Sequence, residues 1–352
     1  MGFFSKIFGI SGKELLGSVG KKDIAMDLGT ANTLIYVKEK GIVFNEPSYI
    51  AINTHDNSIH AVGMEAKVMW GRSPRHIQVH RPIKDGVIND LELAQLMIKH
   101  FINQVLSSID RIFKPRMVIC IPSGITQIEK KAVIDAVLQC GAGKVFLIEE
   151  PMAAAIGAGL AIDSPQGVMV VDIGGGTTDV AIISMGAPAV SDSKRVAGDE
   201  MDTAIVQYVR HNHQVMIGQL EAEEVKIKIG SAYPNDSSET CSVRGRDLVT
   251  GTPKEVVLTS AQVAEALQGT LHQILEIIRD VLDQTTPELQ SDIHREGILL
   301  TGGGSMIRNM DRFIEEHIGI PVRMAKDPLI SVVLGAGRAL EEIERFKKAF
   351  LT

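Results

Sequence analysis

The chain has 352 residues, 45% hydrophobic and 22% charged, which is the balance of an ordinary folded protein with length for two domains or one domain with two lobes. A formal charge of −7, a single Trp and four Tyr argue against a nucleic-acid partner, which calls for a basic footprint and aromatic stacking platforms. Three scattered cysteines, Cys120, Cys140 and Cys241, lack CxxC spacing, so the reading is a reducing cytoplasm with no disulfide framework and no cysteine metal site.

The chain opens with "MGFFSKIFGISGKELL". Lys6 interrupts its apolar run and no small-residue cleavage site follows, so it is a poor signal peptide; Lys6 also breaks the myristoylation pattern. As a helix it places Phe3, Phe4, Ile7 and Phe8 on one face, the pattern of a short amphipathic anchor lying in a membrane interface. A disordered end or a helix packed on its own domain is the alternative. No stretch of the chain approaches the roughly 20 apolar residues that span a bilayer.

Strand-like and helix-like segments then alternate. "DIAMDLG", "TLIYVKE", "IVFNEPSYIAI", "RMVICIP", "KVFLIEE", "GVMVVDIG", "TDVAIISM" and "GILLTGG" read as strands from their β-branched content and turn punctuation. Cys120, inside "RMVICIP", reads as core, since free Cys is among the most buried residue types. "LELAQLMIKHFINQVLSSI" has apolar residues at helical spacing. "TQIEKKAVIDAVLQCGA" opens with Thr126 and has Glu129 three residues on, a capping box. "SAQVAEALQGTLHQILEIIRDVLDQ" is the longest helical pattern. "THDNSIHAVG" and "AYPNDSSETCSVRGRD" read as polar insertions. The alternation predicts an α/β protein with largely buried sheets.

One motif occurs twice. "AMDLGTANTLIYV" (25–37) and "VVDIGGGTTDVAII" (170–183) each run from an apolar strand through Asp to a Gly/Thr-rich tip and into a second strand. Two copies imply two lobes of similar fold facing each other; a repeat array would need at least three. Gly-rich tips expose backbone N–H groups as an anion nest. Asp27 and Asp172 would repel phosphate directly, but make sense beside Mg²⁺, which is held by one or two carboxylates together with phosphate oxygens. A single such tip would be an ordinary turn; the pair implies a Mg–nucleotide. Gly302, Gly303 and Gly304 in "ILLTGGGSMI", before a helix predicted to start near Ser305, let a nucleoside rest close to the backbone. In "FLIEEPMAAAIGAG" Pro151 is read as the first helical residue, and the carboxylate of Glu150 beside the cleft can polarise a water. The other reading of that acid is a plain helix N-terminal carboxylate favoured by the helix dipole. No Walker or Rossmann pattern is present.

These segments together resemble the actin, sugar-kinase and DnaK-chaperone superfamily, and most closely the MreB-like bacterial actins. Asp27-Leu28-Gly29-Thr30, "DIGGGTTD" at Asp172 and "TGGG" at Thr301 are similar to its two phosphate motifs and its adenosine motif. "GIVFNEPS", "RPIKDGVI", "GSAYP" and "VRGR" extend the likeness from about Asp23 to Arg345. The resemblance implies an actin-like duplicated fold, each lobe a core subdomain with a smaller one inserted, and ATP with Mg²⁺ in the cleft. It divides the chain into an anchor extension at 1–20, a first lobe at 21–160 with its insert at about 49–84, a second lobe at 161–324 with its insert at about 197–258, and a C-terminal helix at 325–352 returning to the first lobe. It assigns Asp27 and Asp172 to the metal through water. Thr30, Ala31 and Asn32 fall to one phosphate tip and Gly174, Gly175 and Gly176 to the other. Glu150 and Thr177 fall to the attacking water, Glu223, Glu224 and Lys226 to the ribose and adenine, and Gly302 to Ser305 to the nucleoside.

The resemblance further implies a slow Mg-dependent ATPase that polymerises into double protofilaments. Such filaments lie on the inner face of the cell membrane and guide the cell-wall elongation machinery, and so cell shape; Phe3, Phe4, Ile7 and Phe8 suit the lipid contact. An apolar membrane loop has a weak candidate in "EAKVMWGRSP", for which a core helix is the competing reading. Two other classes share the fold. A DnaK-type chaperone is expected to carry a peptide-binding domain after the nucleotide site, whereas 48 residues follow Gly304 here. A small-molecule kinase needs a general base and an acceptor pocket, and no base other than Glu150 stands out.

Overall fold

The computed structural model describes residues 22–107, 110, 112–234 and 239–351, so the extension with Phe3, Phe4, Ile7 and Phe8 lies outside the described residues. In chain order come β1 (Ile24–Leu28), β2 (Asn32–Val37), β3 (Gly41–Pro47), β4 (Ile50–Asn53), β5 (Ile59–Val62), α1 (Met64–Val68), β6 (Ile77–His80), β7 (Ile83–Lys84), β8 (Val87–Ile88) and α2 (Leu91–Val105). They are followed by β9 (Arg116–Ile121), α3 (Gln127–Gln139), β10 (Lys144–Glu149), α4 (Glu150–Gly157), β11 (Val168–Ile173), β12 (Thr178–Ser184) and β13 (Ala187–Lys194). Next are α5 (Gly198–His213), β14 (Val215–Met216), α6 (Gln219–Ile229), β15 (Thr240–Asp247), β16 (Pro253–Thr259), α7 (Ser260–Asp283) and α8 (Pro287–Glu296). The chain ends with β17 (Ile298–Thr301), α9 (Met310–Ile318), β18 (Val322–Met324), α10 (Ser331–Glu341) and β19 (Phe350–Leu351).

Two large sheets repeat one topology. The first has the order β19-β10-β9-β1-β2-β3 and the second β13-β12-β11-β17-β18. In each, a hairpin pairs antiparallel (β1 with β2, β11 with β12), while its first strand runs parallel to a later strand (β9 or β17). Strands buried on both faces read as continuous apolar runs, as in Ile24–Leu28 and Val168–Ile173. Between the third and fourth strands of each unit lies a small three-stranded sheet, β5-β4-β6 in one and β14-β15-β16 in the other.

Helix ends follow local chemistry. Thr126 and Glu129 form the capping box that opens α3, and Thr259 and Gln262 form another at α7. Asp90 caps α2 by accepting from the Leu93 N–H at 3.0 Å. The inner face of α2 buries Met97, Ile98, Phe101 and Ile102 almost completely, each worth about 1.5–3 kcal/mol of transfer free energy.

Three apolar cores result. One packs the helices of the first half against its sheet and one does the same in the second half. The third joins the halves, with Met152–Ala155 of α4 and Val332, Ala336 and Ala339 of α10 between the two large sheets. Cys120 is buried in this third core.

Four sequence expectations change. The polar insertions contain β5 and β15, because a strand with one solvent face carries polar residues at alternate positions. The helix expected near Ser305 is a 3₁₀ turn, Gly303–Met306, and the α-helix starts at Met310 after Asn309 at φ 60°. Glu150, not Pro151, is the first residue of α4. In "EAKVMWGRSP" the helix covers Met64–Val68 alone, and half-buried Trp70 packs edge-on against Tyr49 with ring centroids 5.6 Å apart.

Candidate functional site

The two repeated hairpins meet tip to tip. The first turns through Gly29, Thr30 and Ala31 between Leu28 and its partner Thr33; the second turns through Gly174–Thr177 between Ile173 and its partner Thr178. A Cβ on Gly175 would lie 2.8 Å from the Ala31 methyl, and one on Gly176 2.6 Å from the Thr30 hydroxyl oxygen. The glycine run therefore allows the tips to close to contact.

The first tip is braced from below. Ser48 donates its hydroxyl to the Gly29 carbonyl at 2.6 Å and its N–H to the Ala31 carbonyl at 3.0 Å. The β7–β8 turn joins it, as Gly86 N–H donates to the Thr30 hydroxyl at 2.9 Å.

A cleft of about 470 Å³ opens beside the tips, of the size that takes a cofactor. Asp27, Thr30, Ala31, Asn32, Glu150, Asp172, Gly174, Gly175, Gly176, Thr177, Glu223, Lys226, Gly302, Gly303 and Gly304 all line it. Two expected members stand elsewhere. Glu224 is exposed on the outer side of α6 and does not line the cleft. Ser305 is fully buried under the glycine turn, where its hydroxyl donates to the Gly302 carbonyl at 2.6 Å, a structural contact.

The floor is acidic. Burial raises the Asp27 carboxyl to about 7. Glu150 is pushed well above the usual carboxylate range by burial and then by the charges of Asp179, Asp27 and Asp172. Asp172 moves the same way, through burial and the charges of Asp179 and Asp27. Asp179 faces Asp172 across the hairpin and is completely buried. Burial lifts its carboxyl to about 6, against the hydrogen bonds from Thr177 and the Ser123 N–H, the latter 2.7 Å from Oδ1.

Such a floor is costly without a counter-charge, because clustered carboxylates in a desolvated site cannot all ionise. The buried Oδ1 of Asp172 has no hydrogen-bond partner in the protein. Hard oxygen donors with free valence fit a divalent cation shared with phosphate oxygens. Among the described residues no three acidic, histidine or cysteine side chains converge to hold a metal alone.

Several lining residues escaped the sequence reading: Gly86, Asp199, Asp202, Met306, Ile307, Arg308 and Leu329. Asp202 carried a usable signal. It sits on the buried stripe of α5 with Met201, Ile205 and Val209, where an acid interrupts the apolar period. Its carboxyl is raised to about 7 by burial, and it pairs with Lys226 at 2.8 Å.

Two lobes of one topology, joined by crossed helices and closed over a glycine-walled acidic cleft, define an actin-like protein. The sequence model of the MreB/Mbl protein family matches residues 21–348, and the chain belongs to that family. It is 50% identical over 326 residues to the cell shape-determining protein MreB of Escherichia coli strain K12, covering 92% of this chain and 94% of that one. It is 44% identical over 332 residues to the cell shape-determining protein Mbl of Bacillus subtilis strain 168, covering 94% and 99%. The crystal structure of MreB5 of Spiroplasma citri bound to ADP superposes with a TM-score of 0.88 at 38% identity, covering 93% of this chain and 98% of that one. The same protein bound to AMPPNP gives 0.88 at 39%, covering 92% and 97%. A MamK double helical filament shares the fold at 22% identity, with a TM-score of 0.78 and coverage of 92% and 99%.

Proposed function

We propose that this chain is an ATP-binding, slowly ATP-hydrolysing bacterial actin that assembles with itself into double protofilaments on the inner face of the cell membrane. There it directs cell-wall synthesis, and so cell elongation and shape. The observation that carries the reading is the cleft itself, two glycine tips in contact above an acidic floor, in a chain of the MreB/Mbl family whose Spiroplasma relative is bound to ADP and AMPPNP.

In this reading the amides and hydroxyls of Thr30, Ala31 and Asn32 on one side and Gly174–Thr177 on the other grip the phosphates. Gly302–Gly304 and the apolar rim of Met306 and Leu329 take the nucleoside, with Glu223 and Lys226 at the ribose and adenine. Asp27 and Asp172 would hold Mg²⁺, which would supply positive charge beside the phosphates. Glu150 orients the attacking water, and Thr177 hydrogen-bonds it from the opposite lobe. Gripping the γ-phosphate from both lobes favours the closed cleft, and its loss loosens the filament.

Residues 21–160 and 161–324 are proposed as the two lobes, with the small sheets as inserts and 325–352 returning to the first. Membrane contact falls to Phe3, Phe4, Ile7 and Phe8. Its support is the sequence pattern, which puts three Phe and one Ile on one helical face. Phosphate release from ATP tests the enzymatic part. Slow release with Mg²⁺ and no acceptor, abolished by a chelator, is expected; release that requires a small-molecule acceptor would favour a kinase.

A further inference from the structure

The roof of the cleft carries two ion pairs that cross between the lobes. Lys67 of α1 lies 2.7 Å from a carboxylate oxygen of Glu223 on α6. Arg81, which follows β6, lies 2.6 Å from Asp199 in the first turn of α5. In both pairs the cation comes from beside the small sheet of the first lobe and the acid from a cleft-lining helix of the second.

Neither pair is a surface accident. The Lys67 and Arg81 side chains are only 20% and 14% exposed. Arg81 also donates to the Thr30 carbonyl at 3.2 Å and lies over the Tyr49 ring at 5.4 Å. It thereby ties the first phosphate tip to α5. A polar void of about 20 Å³, the room of one water, separates the two pairs.

The charges balance only when the roof is shut. The second lobe presents Asp199, Asp202 and Glu223 to this corner of the cleft, and Lys226 is committed to Asp202 and the Gly198 carbonyl. Alone, that lobe shows an anionic ligand three carboxylates against one ammonium. With Lys67 and Arg81 in place the corner holds three cations and three acids.

We propose that Lys67 and Arg81 are positioning residues forming an electrostatic latch: they hold Glu223 and Asp199, neutralise the second lobe's roof and set how fast bound nucleotide leaves. The latch rests on the nucleotide reading of the cleft. Lys67 pairs with Glu223 and with neither phosphate tip, so position 67 reads exchange rather than the hydrolytic step.

The test is a charge series at position 67, read by stopped-flow release of a fluorescent ADP from dilute full-length protein. Lys67→Arg is expected to stay within about twofold of the parent. Lys67→Met, similar in size but neutral, is expected to release about tenfold faster, the size of a partly buried pair worth about 1.4 kcal/mol. Lys67→Glu, facing Glu223, is expected to be faster still, and added salt to narrow the spread. Single-turnover hydrolysis should change little across the series. Equal release from all four proteins, or an order that ignores charge, would overturn the latch.

A second measurement needs no nucleotide. Spin labels on Glu65→Cys and Glu224→Cys, both exposed positions flanking the roof, report the inter-lobe distance, since the native cysteines are buried. Lys67→Glu is expected to lengthen that distance. An unchanged distance contradicts the latch, whereas failure of the unsubstituted protein to bind ADP contradicts the nucleotide reading instead.

Discussion

Glu150 occupies a position where three neighbouring acids and burial all raise its proton affinity. A carboxylate whose proton affinity is raised is a stronger base toward a bound water. Glu150→Ala is therefore expected to bind ATP within a few-fold of the parent and to hydrolyse it about 10²–10⁴-fold more slowly, leaving persistent filaments. Calorimetry and phosphate release separate the two; loss of ATP binding would remove Glu150 from the water-orienting role. Asp179 shows what sequence could and could not tell. Its charge inside the continuous apolar strand "DVAII" was visible, but its role waits on contacts with Ser123 from the other lobe, 56 residues away. Glu224 shows the converse. It follows Glu223 in sequence, yet successive helical residues point about 100° apart, so only Glu223 reaches the cleft.

At the scale of elements, the paired hairpins and the Thr126–Glu129 capping box were legible because turn and cap chemistry is local. The small sheet β14-β15-β16 was not, since "TCSVRGRD" alternates buried and exposed residues and reads as polar loop. The crossing of α4 and α10 was also hidden. Its signature is smallness: "AAAIGAG" and "GAG" let the two backbones touch. A Cβ on Gly335 would overlap the Ala153 carbonyl, and one on Gly157 the Ser331 carbonyl. Gly335→Val should force these helices apart and cost about 1–3 kcal/mol or more, read as a lower midpoint in urea. An unchanged midpoint would mean that the crossing has slack.

At the scale of the whole molecule, the spacing of "DLGT" and "DIGGG" foretold two lobes, and the matched strand orders of the two large sheets realise them. What the sequence could not supply was how the lobes touch: the Gly175–Ala31 contact, the helix crossing and the roof ion pairs are all long-range. In the proposed function, these contacts let one bound phosphate chain set the relation of the lobes, and hence the shape that a neighbouring copy meets. Under the same proposal, assembly depends on nucleotide and attachment on Phe3, Phe4, Ile7 and Phe8. Electron microscopy of the full chain and of a chain lacking Met1–Phe8, with ATP and Mg²⁺ in the presence of anionic liposomes, tests both together. The account predicts paired filaments from both proteins, with those of the full chain on the lipid and those of the shortened chain free in solution. Dispersed particles from the full chain with ATP would contradict it.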